Sequence, residues 1–213
     1  MKLSSIFACV LTAAVTSAAL PTEDSTQKAT KLATTKITWT GQVKHGEANV
    51  SITGTAEEIY NQIIVINPNY GNELGWNSHH SSVKRRELEL IEKRATTSND
   101  WTCAYGNDVI AESVGVGIRY LYSIANGDCS APPGSPGAGG CTVSSCNSGA
   151  GIFLCNDSSN ELHTACLVVA DNAVEVLINC QSSTYAGGNS WTTNTHGQIF
   201  SLDRSWNVIL NRC

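Results

Sequence analysis

From Ala95 to Cys213 the sequence contains no lysine, and its only fixed cations there are Arg119, Arg204 and Arg212. Nine carboxylates, running from Asp100 to Asp203, set against those three arginines leave that stretch at net −6. Nucleic-acid binding rests on cations that displace counterions from phosphate, and three arginines do not make such a footprint. An anionic membrane surface would repel the same stretch. Cysteine is missing from another region, residues 20–102. Also absent are a C-x-x-C pair, an H-x-x-x-H pair, an EF-hand loop and a G-x-S-x-G elbow. Their absence removes the usual sequence grounds for a zinc site, a calcium site or an activated serine. No apolar run reaches the roughly 20 residues of a membrane-spanning helix. The reading therefore assigns no metal, no cofactor, no membrane span and no catalytic residue.

What is present begins with Lys2, an apolar run from Ile6 to Ala19, and the small residues Ser17, Ala18 and Ala19 ahead of Leu20-Pro21. A charged head, a short apolar middle and small residues at the exit describe a secretory signal peptide over residues 1–19. Of the nine cysteines, Cys9 lies inside that signal. The others are Cys103, Cys129, Cys141, Cys146, Cys155, Cys166, Cys180 and Cys213. An even number in a secreted chain reads as a disulfide framework, here four bridges among about 105 possible pairings. The expected location is extracellular.

The chain changes character between residues 84 and 94. Lys84-Arg85 opens a charged stretch, and Lys93-Arg94 closes it at the border between the cysteine-free and cysteine-rich halves. A kexin-type processing protease reads two adjacent cations through an acidic pocket, so cleavage after Arg94 is expected. That cut divides the precursor into a signal (1–19), a pro-segment (20–94) and a mature cysteine-rich domain (95–213). Within the pro-segment, Ile37, Trp39 and Val43 alternate as in a strand, and Val50 and Ile52 suggest a second. Thr55-Ala56-Glu57-Glu58 is a capping-box pattern. The helix behind it should run to about Ile66, with Ile59, Ile63 and Ile66 on one face, before Pro68 stops it. This small ββα pro-domain is expected to guide folding or to mask a surface of the mature domain. Asn49-Val50-Ser51 is a glycosylation sequon in the pro-segment and Asn156-Asp157-Ser158 is one in the product.

In the mature domain, Asp108 is positioned to cap a helix running to about Ala125, with Ile110, Val114, Ile118 and Leu121 inward and Gly127 as its stop. Gly115 and Gly117 weaken that helix unless they allow close packing. Residues 128–140, rich in proline and glycine, read as a loop. Gly151–Cys155 reads as a strand, 167–179 as a second helix, and the segments around 198–200 and 206–210 as a hairpin about Asp203-Arg204. The expected fold class is α+β: a disulfide-stapled α/β sandwich, two helices on an antiparallel sheet.

His163 and His196 are the histidines of the mature stretch, with Asp171 and Glu175 as conceivable carboxylate partners for acid–base work. Secreted ribonucleases are built on that chemistry, but they also use cations for the phosphate. Oxidised cysteines supply no thiol nucleophile. Exposed tryptophans suit sugar stacking or protein contacts. Trp206 alternates like a core residue, so Trp191, inside the polar 187–195 loop, is the binding candidate ahead of Trp101.

The signal, the Lys93-Arg94 ending of the pro-segment and the small acidic cysteine-rich product together resemble secreted effectors of filamentous fungi. The order helix, Ile152-Phe153-Leu154-Cys155, helix ending at Cys180, Gly197-Gln198 and Trp206-Asn207-Val208 is similar to killer-toxin-like domains. Size and cysteine density are also similar to necrosis-inducing effectors. The resemblance implies a two-helix α/β sandwich and action on susceptible cells, in the best-known members by calcium-channel block through a basic surface. The lysine-free, acidic product departs from that surface. The expected function is that of a secreted effector or toxin-like protein binding an extracellular protein or glycan of a host or competitor cell. The alternatives are a small ribonuclease-like hydrolase and a cell-wall glycan-binding protein.

Overall fold

The computed structural model describes residues 35–73, 100–137, 139–187 and 190–213. The signal segment and the basic residues Lys84, Arg85, Lys93 and Arg94 lie outside the described residues. What is described is a mixture of helices and antiparallel sheets, α+β in class, closed by four disulfides.

Residues 35–73 open with two strands, and Val43, expected in the first of them, lies beyond its end. β1 (Ile37–Gly41) and β2 (Val50–Gly54) pair antiparallel. Helix α1 (Ala56–Ile66) starts with a complete capping box. The Thr55 hydroxyl accepts from the Glu58 amide, and the Glu58 carboxylate accepts from the Thr55 amide at 2.8 Å. Lys36 reaches the same carboxylate at 2.6 Å, and this contact, together with the Thr55 amide, lowers the Glu58 pKa below the ordinary carboxylate value. Ile59 and Ile63 are buried, but Ile66, expected on the same face, is half exposed. A short helix, α2 (Tyr70–Glu73), follows.

β1 does not stop at its hairpin partner. On its other edge it pairs with β5 (Asp128–Ala131), Trp39 standing opposite Cys129, and β5 pairs in turn with β8 (Leu162–Ala165). The resulting sheet runs β2-β1-β5-β8. The expected loop at 128–140 is therefore corrected at its start. Asp128–Ala131 is a strand, and its neighbours Pro132 and Pro133, which cannot extend a ladder, end it.

A five-stranded sheet, in the order β3-β11-β12-β7-β6, holds the centre of the cysteine-rich half. It consists of β3 (Trp101–Thr102), β6 (Gly140–Asn147), β7 (Ala150–Asn156), β11 (Gly197–Phe200) and β12 (Trp206–Arg212). Helices α3 (Ala111–Ser123) and α4 (Cys166–Cys180) cover one face. Val114, Ile118 and Leu121 of α3 meet Val169, Ala173 and Val176 of α4 over Ile152, Leu154, Val208 and Leu210. Phe153, Cys155 and Ile209 are buried on the other face. Burial on both faces explains why β7 reads as an apolar run rather than as strict alternation. Gly117 lies on the sheet-facing side of α3, where a Cβ would stand 2.3 Å from the Ser145 hydroxyl, so close packing is the reason for glycine there.

Asp108 does not cap α3. The residue in that position is Ile110, exposed, without a side-chain cap bond. At the β11–β12 turn, Asp203 Oδ1 accepts from the Ser201 hydroxyl at 2.7 Å, the Ser205 amide at 3.1 Å and the Ser205 hydroxyl at 2.8 Å. Those donors, the Ser201 hydroxyl first, hold its carboxyl down at about 2.

The bridges are Cys103–Cys180, Cys129–Cys166, Cys141–Cys155 and Cys146–Cys213. Two of them fasten the ends of α4, to β5 and to the segment after β3. Cys141–Cys155 joins directly opposed positions of β6 and β7. Cys146–Cys213 joins the end of β6 to the chain beyond β12.

Candidate binding surface

Strands β9 (Ser182–Gly187) and β10 (Ser190–Thr195) form a ribbon beside the two-residue β4 (Val109–Ile110), in the order β4-β10-β9. The sequence of this stretch is serine, threonine, asparagine, glycine, one alanine, one tyrosine and one tryptophan, with no charged residue from Gln181 to Thr195. β-Branched and aromatic residues favour the extended chain of both strands. The foot of the ribbon is anchored. Thr195 is fully buried opposite Val109, and Asn194 pairs with Ile110.

Away from that foot the ribbon is exposed. Trp191 stands opposite Tyr185, their ring centroids 5.3 Å apart and their planes 61° apart, edge to face. Trp191 is 67% exposed and Tyr185 is 56% exposed, values far from those of a core pair. Side chains two positions along a strand share a face. Ser183 and Thr193 therefore sit on the same side as the aromatics, their hydroxyls 3.1 Å apart. On the other side the Thr184 hydroxyl donates to the Thr192 carbonyl at 3.4 Å. A register shift at Ser190/Trp191 places a bulge next to the indole, a device that re-aims a side chain. The result is an exposed aromatic pair flanked by hydroxyls on an uncharged support. It offers stacking faces and hydrogen bonds, and no group that could move a proton at neutral pH.

Trp191 lies on strand β10 rather than in the expected loop, and Tyr185, its partner, is a further residue of the surface that the sequence analysis does not name. The signal for both was the spacing of the two aromatics across Gly187-Gly188. Trp101 is also exposed, though less so, and Trp206 packs partly buried against the core.

The histidines do not come together. His163 is on β8, exposed, with Glu161 at 3.7 Å. His196 follows β10, and its Nδ1 lies 2.8 Å from Asp108 Oδ1. The expected partners are engaged elsewhere: Asp171 accepts from the Tyr122 hydroxyl, and Glu175 accepts from Asn179. Asp108 borders an open hollow of about 370 Å³ that Ser148, Asn194 and Arg212 also line. The Arg212 Nε donates to the Asp108 carbonyl at 3.3 Å.

A larger open cleft, about 650 Å³, is lined by Gln42, Val43, Tyr70 and Glu73 of the first half and by Asn126 and Asp128 of the second. The Tyr70 hydroxyl donates to Asn126 Oδ1, and burial pushes its phenol pKa well above the ordinary value. Asn49, exposed, stands at the rim of this cleft. The second sequon is placed very differently. Asn156 is completely buried in β7, donating to the Pro132 and Asn160 carbonyls and accepting from the Ser158 amide and hydroxyl. An amide nitrogen with both hydrogens engaged and no solvent contact has no room for a glycan, so the folded chain does not present Asn156 as an acceptor.

Among the described residues no helix is long and apolar enough to cross a membrane. The chain matches no family model, no curated protein and no solved structure with which it was compared.

Proposed function

We propose that this protein is a secreted effector or toxin-like protein that acts by binding an extracellular protein or glycan of a host or competitor cell. The observation that carries the reading is the exposed Trp191–Tyr185 pair on an uncharged, hydroxyl-lined ribbon. Aromatic anchors ringed by polar groups are the usual energetic centres of protein contacts and the usual platforms for sugars. Four disulfides support durability outside the cell, at about 2–4 kcal/mol each. In this reading the signal directs export, a kexin-type protease cuts after Arg94, and the cysteine-rich part is an α/β sandwich of the killer-toxin-like kind. The basic channel-blocking surface of that kind is missing, so the aromatic ribbon takes the role of the contact.

The test is to apply the purified secreted protein to sensitive cells and to chitin and glucan, alongside Trp191→Ala and Tyr185→Ala. Loss of binding and of cell response in both variants, with folding intact, is the expected result. Unchanged activity in both would remove the ribbon from the mechanism. A hydrolase is the second reading, favoured by the His196–Asp108 pair beside an Arg212-lined hollow. Activity retained by the His163→Ala, His196→Ala double variant excludes it.

A further inference from the structure

Residues 35–73 and the cysteine-rich half share one core. Ile37, Trp39, Ile59 and Ile63 are fully buried in the same cluster as Leu121, Ile124 and Cys129. Trp39 is the largest of them, and two glycines make room for it. A Cβ on Gly127 would stand 2.2 Å from its Nε1, and a Cβ on Gly41 would stand 2.5 Å from its ring. The polar contacts across the two halves are also specific. Trp39 Nε1 donates to the Ile124 carbonyl at 2.9 Å, Asn126 Nδ2 to the Gln42 carbonyl at 3.1 Å, and the Val143 amide to the Thr35 carbonyl at 2.8 Å. Tyr70 bonds Asn126, and Tyr60 stacks at a tilt on Tyr120, their centroids 6.1 Å apart. β1 is an inner strand of its sheet. Its removal would leave β5 with an unpaired edge and the cluster around Leu121 and Ile124 open to water, both of which invite aggregation.

No covalent bond joins these two parts once the intervening chain is cut. All four bridges connect cysteines between 103 and 213. Resting on the processing step at Arg94 proposed above, we propose that cleavage does not discard the first half. Residues 35–73 stay seated as a second, non-covalent chain, and the active species is a two-chain protein. The piece that composition marks as a removable pro-segment is then a structural subunit of the product. Its occupancy of the α3–β5 surface obeys mass action rather than being fixed by the chain.

The full-length chain, purified without its signal, is cut with a kexin-type protease and passed over a size-exclusion column under native conditions. The expected result is one peak holding both pieces, which separate in guanidinium without any reductant. The denaturation midpoint of the cut protein is expected to rise with protein concentration while that of the uncut chain stays constant. Trp39→Phe, which keeps an aromatic ring but removes the donor, should shed the first piece at least tenfold more readily after cutting. Elution of 95–213 alone, with its spectrum and melting unchanged, would overturn the two-chain form and leave processing intact. A chain that the protease leaves whole overturns processing at Arg94, and the two-chain form with it.

Discussion

The indole nitrogen of Trp39 donates to the carbonyl of Ile124, 85 residues further along the chain and just past the end of α3. That carbonyl belongs to a helix end, where four such groups lack intrahelical partners, and the Trp39 indole satisfies it together with the Gly127 amide. The bond forms only because Gly127 lets the ring approach. Trp39→Ala in the uncut chain should cost about 3–5 kcal/mol, as for other large aromatics removed from a core. Gly127→Ala should cost about 1–3 kcal/mol by overpacking the same place. Urea unfolding of the two variants beside the parent measures both. A Gly127→Ala chain as stable as the parent would contradict this account of the contact.

Glycan occupancy should differ between the two sequons. Asn49 is exposed and Asn156 is buried with its amide engaged. A chain made in a glycosylating host should lose its glycan mass in Asn49→Gln and keep it in Asn156→Gln. Replacing Asn156 instead removes a hub that bonds Pro132, Ser158 and Asn160. A stability loss of about 2–4 kcal/mol is expected, since several buried partners are left unpaired together.

Asp203 sets an acid limit on the β11–β12 turn. Its folded pKa, about 2, lies below its ordinary 3.8. The stabilisation is therefore complete above the ordinary value and is lost as pH falls through about 2. Asp203→Asn should melt below the parent near neutral pH, and the gap should close on acidification through that window. A gap independent of pH would assign the effect to something other than the carboxylate charge.

Trp191→Ala should separate binding from stability. An exposed side chain outside the core is expected to move the unfolding free energy by no more than about 0.5 kcal/mol. As a binding anchor it should lower affinity for the target by about 30-fold, a 2 kcal/mol effect. Calorimetry and a binding isotherm on the same preparation make the comparison.

Local patterns carried much of this fold into the sequence. The Thr55–Glu58 capping box, the period of α1, the helix ending at Cys180 and the Asp203-Arg204 hairpin all depend on residues within a few positions of one another. What escaped depends on distant neighbours. β9 and β10 have no apolar alternation because neither face of the ribbon is buried along most of its length. β5 is hidden between a helix end and two prolines. Asp108 looked like a cap because the cap position favours aspartate, but His196, 88 residues away, holds it instead. The break in composition at Arg94 suggested two separate bodies. What joins them is the fit of one indole between Gly41 and Gly127, and no window of sequence displays such a fit.

The placing of β12 at the centre of the five-stranded sheet, between β7 and β11, governs how the chain reaches this state. The strand on which the sheet closes is also the last of the described elements, and β1 meets β5 across a still longer stretch, Trp39 lying 90 residues before its partner Cys129. Loop-closure entropy is spent before these distant pairings return anything, so folding should be slow, on the scale of milliseconds to seconds. The bridges inherit a sequence in time. Cys141 and Cys155, 14 residues apart on adjoining strands, can oxidise as soon as β6 meets β7. Cys103–Cys180 and Cys146–Cys213, separated by 77 and 67 residues, must wait for the sheet to assemble. Early oxidation intermediates should therefore be one-bridge species with β6 and β7 already stapled and the rest of the molecule still searching.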